Sequence, residues 1–217
     1  MPLLEIRKLN GRTRLGLWSM NETPDELKVL FPHLRGLDMP FSNVVRQKEF
    51  LCIRALLTEM TGDTSLLIGH EKSGRPTLNG WGISISHTKG YCALALSCGM
   101  KQGWMTWEPA TNGADPVAVD IEQRADTVAR VADRFIRHDE KAVTVDQMLV
   151  VWSAKETLYK LYSEDNLQFF DMRVHEMGTD TLMIENIKRG RLVTLHYELS
   201  DDYVLTYYPA NDVQANR

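Results

Sequence analysis

The second half of the chain opens with the stretch VAVDIE at residues 117–122, a short apolar run that predicts a β-strand. A helix is expected next at about residues 127–136, and a longer helix at about residues 146–162. Strand-like segments follow around residues 173–175, 181–187, 192–199 and 203–208. This succession predicts a mixed α/β fold of the α+β type, in which a small, mainly antiparallel sheet packs against helices.

The first half repeats this order of elements. A strand at residues 15–20 leads into a helix that should begin at Pro24, with Thr23 as its N-cap, and end near residue 34. The elements expected after it are a helix at about residues 42–60 with its stop at Gly62 and two strands at residues 82–86 and 91–96.

The spacing within the two halves is also similar. Trp18 and Arg54 lie 36 positions apart, and Asp120 and Lys155 lie 35 apart. The repetition predicts an architectural duplication into two pseudo-symmetric lobes, with the active site in the cleft between them. The expected divisions are an N-terminal lobe at residues 1–108, a turn-rich linker at 109–116, a C-terminal lobe at 117–209 and a disordered polar tail at 210–217.

Composition and charge exclude several classes of protein. The 25 Lys and Arg residues against 29 Asp and Glu residues give a net charge of −4, which disfavours a protein that coats nucleic acid or an anionic membrane. The three cysteines (Cys52, Cys92 and Cys98) form no C-x-x-C pair, so reduced thiols of a cytoplasmic protein are expected. No apolar stretch is long enough for a membrane span, and the charged N-terminus does not resemble a signal peptide.

Two acidic residues at the end of the strand at residues 117–122 are the first candidates for chemistry. Residues two apart on a strand share a face, so Asp120 and Glu122 should project together while Val119 and Ile121 face the core. A divalent cation would relieve the repulsion between the two carboxylates. The alternative is a pair of solvated acids.

The helix segment WSAKETLYK at residues 152–160 carries the second group. Helical spacing predicts a buried stripe formed by Val151, Ala154, Leu158 and Leu161. Trp152, Glu156 and Lys160 stand four residues apart on the opposite face, where something should cover the tryptophan. The alternative here is a surface Glu–Lys pair worth a few tenths of a kcal/mol.

The first half contributes basic and hydroxyl groups. Ser86 and His87 come just before a glycine bend, where they could hold phosphate oxygens; a lone turn histidine is otherwise usually structural. Further candidates are the basic turn Arg75-Pro76 and two helix residues, Arg46 and Arg54. Three acidic residues that could bind a metal cation, together with several basic residues that could bind phosphates, are typical of metal-assisted phosphoryl transfer. No glycine-rich phosphate loop is present, which argues against an ATP-dependent kinase.

At these residues the chain resembles the 4′-phosphopantetheinyl transferase superfamily, specifically the Sfp-type enzymes. The family pattern is a G-[IV]-D-x-E strand followed by W-x-x-K-E-[AS]-x-x-K on a helix, which corresponds here to AVDIE at residues 118–122 and WSAKETLYK at residues 152–160. The family's upstream basic-proline pair and S-H-[ST] turn correspond to Arg75-Pro76 and to residues 86–88.

The resemblance implies a role for each candidate. Asp120, Glu122 and Glu156 would hold Mg²⁺ on the pyrophosphate of coenzyme A, with Mn²⁺ left open. Lys155 and Lys160 would contact phosphates, and Glu156, directly or through water, would take the proton of the acceptor hydroxyl. The catalytic set is therefore Asp120, Glu156 and Lys160. The residues implied for the 3′-phospho-ADP portion of coenzyme A are Arg46, Arg54, Arg75, Pro76, Ser86 and His87.

The resemblance also implies the reaction and its partners. The 4′-phosphopantetheine of coenzyme A would pass to a serine hydroxyl of an apo acyl or peptidyl carrier protein, with release of 3′,5′-ADP. Such carriers serve fatty-acid, polyketide and nonribosomal peptide biosynthesis. The chain would act as a monomer, as a pseudo-dimer within one chain, without nucleic acid or membrane partners.

The sequence departs from the family pattern in four places. Ala118 replaces the glycine, Thr157 replaces Ala or Ser, and residues 99–116 form a longer stretch than expected. Residues 161–168 contain two acids and none of the glycines that usually follow the helix.

Two other functions were weighed against this one. One is a diverged relative that binds carrier protein or coenzyme A without catalysis. The other is a metal-dependent phosphodiesterase or nuclease. The latter is disfavoured by the negative net charge and by the Glu156-x-x-x-Lys160 spacing on a helix, where E-x-K on a strand is typical.

Overall fold

The computed structural model describes residues 2–98, 100–101, 104–105, 107, 109 and 114–209. The tail expected at 210–217 and residues 110–113 of the expected linker lie outside this range. The chain divides into two compact units, one within Met1–Pro116 and the other at Val117–Pro209.

The first unit is built on a four-stranded antiparallel sheet. Its elements are β1 (Leu3–Lys8), β2 (Thr13–Ser19), α1 (Pro24–Leu30), α2 (Val44–Thr61), β3 (Gly69–His70), β4 (Pro76–Thr77), β5 (Gly82–Thr88), β6 (Tyr91–Ser97), β7 (Met100–Lys101) and β8 (Trp104–Met105). The sheet has the order β1-β2-β6-β5, and β3–β4 and β7–β8 are separate two-stranded pairs. Strand β1 was not predicted; it lies at the edge of the sheet, where the apolar side chains of Leu4 and Ile6 are exposed and mark no buried face.

Two of the helix ends predicted in the first unit are confirmed, and one is wrong. The side chain of Thr23 accepts a hydrogen bond from Glu26 in a capping box, and α2 ends at Gly62 in the left-handed conformation, both as predicted. The helix expected to reach residue 34 ends at Leu30. A 3-10 helix, Pro32–Gly36, replaces its last turn because Pro32 lacks the N–H group that a continuing α-helix needs.

The second unit is a five-stranded antiparallel sheet with one long helix. Its elements are β9 (Ala118–Gln123), a 3-10 helix (Asp126–Arg134), α3 (Val145–Leu161), β10 (Met172–Met177), β11 (Thr181–Asn186), β12 (Arg191–Leu199) and β13 (Tyr203–Tyr208). The sheet order is β10-β11-β12-β13-β9. The segment predicted as an α-helix at residues 127–136 is a 3-10 helix, and Ala125 at its start offers no side-chain oxygen to cap it.

The strands pair in the same way in both units. In the first unit, β2 pairs with β6, and β6 also pairs with β5. In the second unit, β9 pairs with β13, and β13 also pairs with β12. Helix α2 packs on β2 and β6, and α3 on β9 and β13. The predicted α+β class is therefore confirmed, and the duplication with a site between two lobes stays a prediction.

Each unit has its own apolar core. The predicted stripe of α3 is buried and packs with Ala118 and Val204 of the sheet. Cys52, Cys92 and Cys98 are buried, unbonded thiols in the first unit. Within the described residues, no helix has both the length and the apolar character needed to cross a bilayer.

The close approach of α2 to β2 depends on Gly16. A methyl group at this position would lie 2.7 Å from the sulfur of Met60 and 2.8 Å from Cδ1 of Leu56, both in buried side chains.

We expect Gly16→Ala to lower the free energy of unfolding by about 1–3 kcal/mol in urea titrations, because the core must shift to admit the methyl group. Gly36→Ala, which meets no atom within 4 Å, is the control and should change it by less than about 0.5 kcal/mol. Equal stability of the two variants would contradict this packing argument.

Candidate active site

Asp120 lies at the centre of the candidate site in the second unit. Its side chain is buried, and both of its carboxylate oxygens accept hydrogen bonds from α3. Lys160 Nζ donates to Oδ1 at 2.8 Å, and Ser153 Oγ donates to Oδ2 at 2.8 Å. Lys160 Nζ also donates to the carbonyl oxygen of Val119 at 3.0 Å. These contacts join β9 to two residues of α3 that lie about two helical turns apart.

A buried network of hydroxyl groups lies behind Asp120. The hydroxyl oxygens of Ser153 and Thr206 are 2.9 Å apart, and those of Thr157 and Thr206 are 2.5 Å apart. Thr206 Oγ1 also donates to the carbonyl oxygen of Ser153 at 2.9 Å. Sequence analysis missed these three residues. The available signal was the presence of small hydroxyl residues at positions that the helix and sheet patterns bury.

Glu122 is the second acid of β9. Trp152 Nε1 donates to its Oε1 at 2.8 Å. Burial and the neighbouring charge of Asp120 raise the pKa of Glu122 to about 7, against the opposing effect of the Trp152 hydrogen bond. The tryptophan is covered, as expected, by the rings of Phe135 and Phe169, whose centroids lie 5.1 and 5.0 Å from its own.

Glu156 is the third acid and lies half-buried on α3, one turn before Lys160. Burial and then the charge of Asp120 raise the pKa of its carboxyl group, while Lys160 lowers it. Lys160 also lowers the pKa of Glu122, whereas the charge of Glu156 raises it. The three predicted acids therefore interact electrostatically around one ammonium group.

Both faces of β9 are buried, because Val119 and Ile121 are enclosed as well as Asp120. Asp120 and Glu122 share a face, as expected, but it is the face that packs against α3. Their cross-strand partners there are Thr206 and Val204. Val119 lies on the opposite face of the sheet. Strand alternation defines the two faces without showing which one the helix covers.

The acidic side chains of the site are the candidate ligands of a metal ion. Within the described residues, no three histidine, cysteine, aspartate or glutamate side chains form a group that could hold a metal in this arrangement. Lys160 instead supplies the positive charge next to Asp120. Three carboxylates are nevertheless the oxygen donors that Mg²⁺ prefers, so the chemistry of the set fits this ion.

Lys155 requires a correction. Its side chain is completely buried, and its ammonium group donates to Glu140 Oε2 at 2.8 Å and to the carbonyl oxygens of Phe135 and Phe169 at 2.6 and 3.2 Å. Glu140 Oε1 in turn accepts the N–H of Val174 at 2.7 Å. Successive helix residues point about 100° apart, so Lys155 turns into the core where Glu156 turns out of it. An enclosed ammonium with three partners does not contact a phosphate, and we remove Lys155 from the phosphate-binding set.

A small cavity of the first unit gathers three of the predicted coenzyme A ligands. It has a volume of about 140 Å³ and is lined by Phe41, Arg46, Glu49, Phe50, Ile53, Arg54, Ile68, His70, Ile85 and His87. Arg46, Arg54 and His87 thus come from a helix and a strand to one place. Ser86 does not line this cavity, because it alternates with Ile85 and His87 on β5. Arg75 is exposed beside β4, whose Pro76 pairs with His70.

An acid that the sequence did not single out lies among these cations. Glu49 is 3.2 Å from Arg46 Nη1 and 3.5 Å from His87 Nδ1. Arg54 lies with its guanidinium carbon 3.3 Å from the ring centre of Phe50, and burial lowers its pKa to about 10. At neutral pH the Arg54 guanidinium therefore stays charged.

Comparison with known proteins bears on the second unit. Residues 116–208 match the model of the 4′-phosphopantetheinyl transferase superfamily. This matched region, somewhat under half of the chain, coincides with the unit that contains Asp120, Glu122, Glu156 and Lys160. A search of curated protein sequences finds no match to the chain. The family match supports a transferase that acts on phosphopantetheine.

The enclosure of Lys155 leads to a stability prediction. We expect Lys155→Met to lower the free energy of unfolding by about 3–5 kcal/mol, because it leaves the buried carboxylate of Glu140 without its ammonium partner. Lys141→Met, at an exposed neighbouring position, should change it by less than about 0.5 kcal/mol. Urea titrations followed by circular dichroism measure both. A Lys155→Met protein with normal stability would return this residue to the phosphate-binding set.

Proposed function

We propose that this chain is an Sfp-type phosphopantetheinyl transferase. It transfers the 4′-phosphopantetheine of coenzyme A to a serine hydroxyl of an apo acyl or peptidyl carrier protein and releases 3′,5′-ADP. The observation that carries the proposal is the set of three interacting carboxylates around Lys160, within the region that matches the superfamily.

The metal in the proposal is Mg²⁺, held by Asp120, Glu122 and Glu156. When bound, it neutralises charge on the pyrophosphate of coenzyme A. The hydrogen bonds of Ser153 and Trp152 fix the orientation of Asp120 and Glu122, so that neither carboxylate has to reorganise during the reaction.

The chemical step exchanges one phosphorus–oxygen bond for another. The serine oxygen attacks the phosphorus that bears the pantetheine, and the bond from that phosphorus to the bridging pyrophosphate oxygen breaks. 3′,5′-ADP leaves with the electron pair of that bond. Glu156, which lines a cavity of about 250 Å³, accepts the serine proton. Lys160, one helical turn after Glu156 and paired with Asp120, stabilises negative charge on the phosphate oxygens.

The first unit is proposed to bind the 3′-phospho-ADP portion of coenzyme A. The cavity that contains Arg46, Arg54 and His87 supports this role, because it brings three cationic or protonatable groups to one place. Arg75, Pro76 and Ser86 stay in the proposed set on the strength of the sequence resemblance. Lys155 is left out for the reason given above.

Transfer itself is tested by intact-mass measurement of an apo acyl carrier protein incubated with the chain, coenzyme A and Mg²⁺. We expect a gain of one phosphopantetheine, which is lost when EDTA is added. Asp120→Asn should slow the transfer by about 10²–10³-fold, because it removes a charge on which metal binding and the position of Lys160 both depend. Asp133→Asn, at an exposed position of the same unit, should react as the unchanged protein does.

The result that would overturn the proposal is the absence of any mass gain with both acyl and peptidyl carriers. In that case, a titration with coenzyme A would separate a protein that binds without catalysis from one that does not bind. A folded Asp120→Asn protein with near-normal turnover would remove Asp120 from the site.

His87 is tested by the kinetics of coenzyme A. We expect His87→Ala to raise the KM for coenzyme A by about 5–10-fold with little change in kcat, because it removes a contact to the 3′-phospho-ADP portion that is the same in the ground state and in the transition state. The exposed His138→Ala should leave both constants unchanged. An unchanged KM in the first variant would make His87 a structural residue.

A further inference from the structure

The segment that follows α3 forms one wall of the cavity beside Glu156. The lining residues are Glu156, Tyr159, Asn166, Leu167, Gln168, Phe169 and Met172. Four of them, at residues 166–169, are consecutive: residues 166–168 lie between the two 3-10 turns Ser163–Asp165 and Phe169–Asp171, and Phe169 begins the second turn. We call residues 166–169 the wall segment. Its conformation sets the shape of the space next to the proposed base.

Asp165 holds one end of the wall segment to the turn between β11 and β12. The guanidinium of Arg189 binds both oxygens of Asp165, through Nε and Nη2, at 2.5 Å each. The completely buried Asn186 donates from Nδ2 to Asp165 Oδ2 at 2.8 Å. Arg189 Nη2 also donates to Glu164 Oε1 at 3.1 Å. The two acids noted after the helix in the sequence are thus bound to one arginine.

Asp171 holds the other end to the same turn. Lys188 Nζ lies 3.0 Å from Asp171 Oδ2 and also donates to the carbonyl oxygen of Asn166 at 3.0 Å. The N–H of Ile187 donates to the carbonyl oxygen of Asp171, and Asp171 Oδ2 accepts the N–H of Gln168. Residues 187–189 therefore contact the residues that flank the wall segment on both sides, and Lys188 also contacts Asn166 within it.

These contacts account for the missing glycine loop. Asn166 takes the left-handed conformation, with φ of 47°, that a glycine would otherwise adopt. The ion pairs on either side then hold the segment in one place.

We propose that Arg189 is a positioning residue, which acts from the β11–β12 turn to hold the wall segment in the shape that receives substrate beside Glu156. The inference rests on the proposed function, because it assigns substrate to this cavity. Exposed ion pairs contribute little to the stability of the whole fold. The effect of removing Arg189 therefore falls on substrate binding more than on folding.

The kinetic test compares two arginines of the same region. Arg189→Gln should lower kcat/KM for coenzyme A by about 5–10-fold, mainly through KM, at a saturating concentration of carrier protein. The matched control is Arg191→Gln, because within the described residues the exposed side chain of Arg191 makes no ion pair. Arg189→Lys keeps the charge without the bidentate geometry and should fall between Arg189→Gln and the unchanged protein.

A second measurement does not depend on catalysis. Hydrogen–deuterium exchange of residues 163–171 should be faster in Arg189→Gln than in Arg191→Gln, because Asp165 loses its bonds to Arg189 and the hydrogen bond from the N–H of Asp165 to the carbonyl oxygen of Tyr162 opens more often. Unchanged exchange would overturn the inference, and so would faster exchange with kinetics equal to those of the control. If the unchanged protein transfers no phosphopantetheine, the proposed function fails, and the exchange measurement alone decides whether Arg189 holds the wall segment.

Discussion

The arrangement of the candidate site depends on the contact between Asp120 of β9 and two residues of α3, Ser153 and Lys160. A buried carboxylate is costly unless its oxygens are hydrogen-bonded, so strand and helix are tied together at this point. Glu122 follows two residues later on the strand, and Glu156 precedes Lys160 by one helical turn. The register of this single contact therefore sets which acids face one another.

The remaining contacts of α3 keep that register. Trp152 holds Glu122 and is covered by aromatic rings, while Lys155 binds Glu140 inside the core. Lys155 and Glu156 are neighbours in sequence but have opposite environments, because each helix residue is rotated about 100° from the previous one. One residue of the W-x-x-K-E motif thus anchors the helix, and the next lines the cavity formed with residues 166–169. The motif therefore contains a lysine with a structural role, Lys155, next to an acid that the proposed function uses in the reaction, Glu156.

The sequence predicted most elements, and its failures have physical causes. The N-cap at Thr23, the helix stop at Gly62 and the strands from β9 to β13 follow from local patterns that the structure confirms. The helix expected to reach residue 34 stops earlier because Pro32 cannot donate a hydrogen bond. Four of the predicted residues, Asp120, Glu122, Glu156 and Lys160, come together, whereas Ser86 lies apart from the cavity that contains His87.

The sequence by itself determined the α+β class, the order of strands and helices, and the identity of the acidic residues, because these depend on periodicity and on residues close together in the chain. Only the tertiary structure decided which face of β9 the helix covers, that Lys155 is enclosed, and that Arg189 reaches back to Asp165. Those outcomes depend on which side chains of distant parts of the chain come into contact. Arg189 and Asp165 are 24 positions apart, so their ion pair leaves no local pattern in the sequence. Burial and long-range ion pairs are therefore decided by packing.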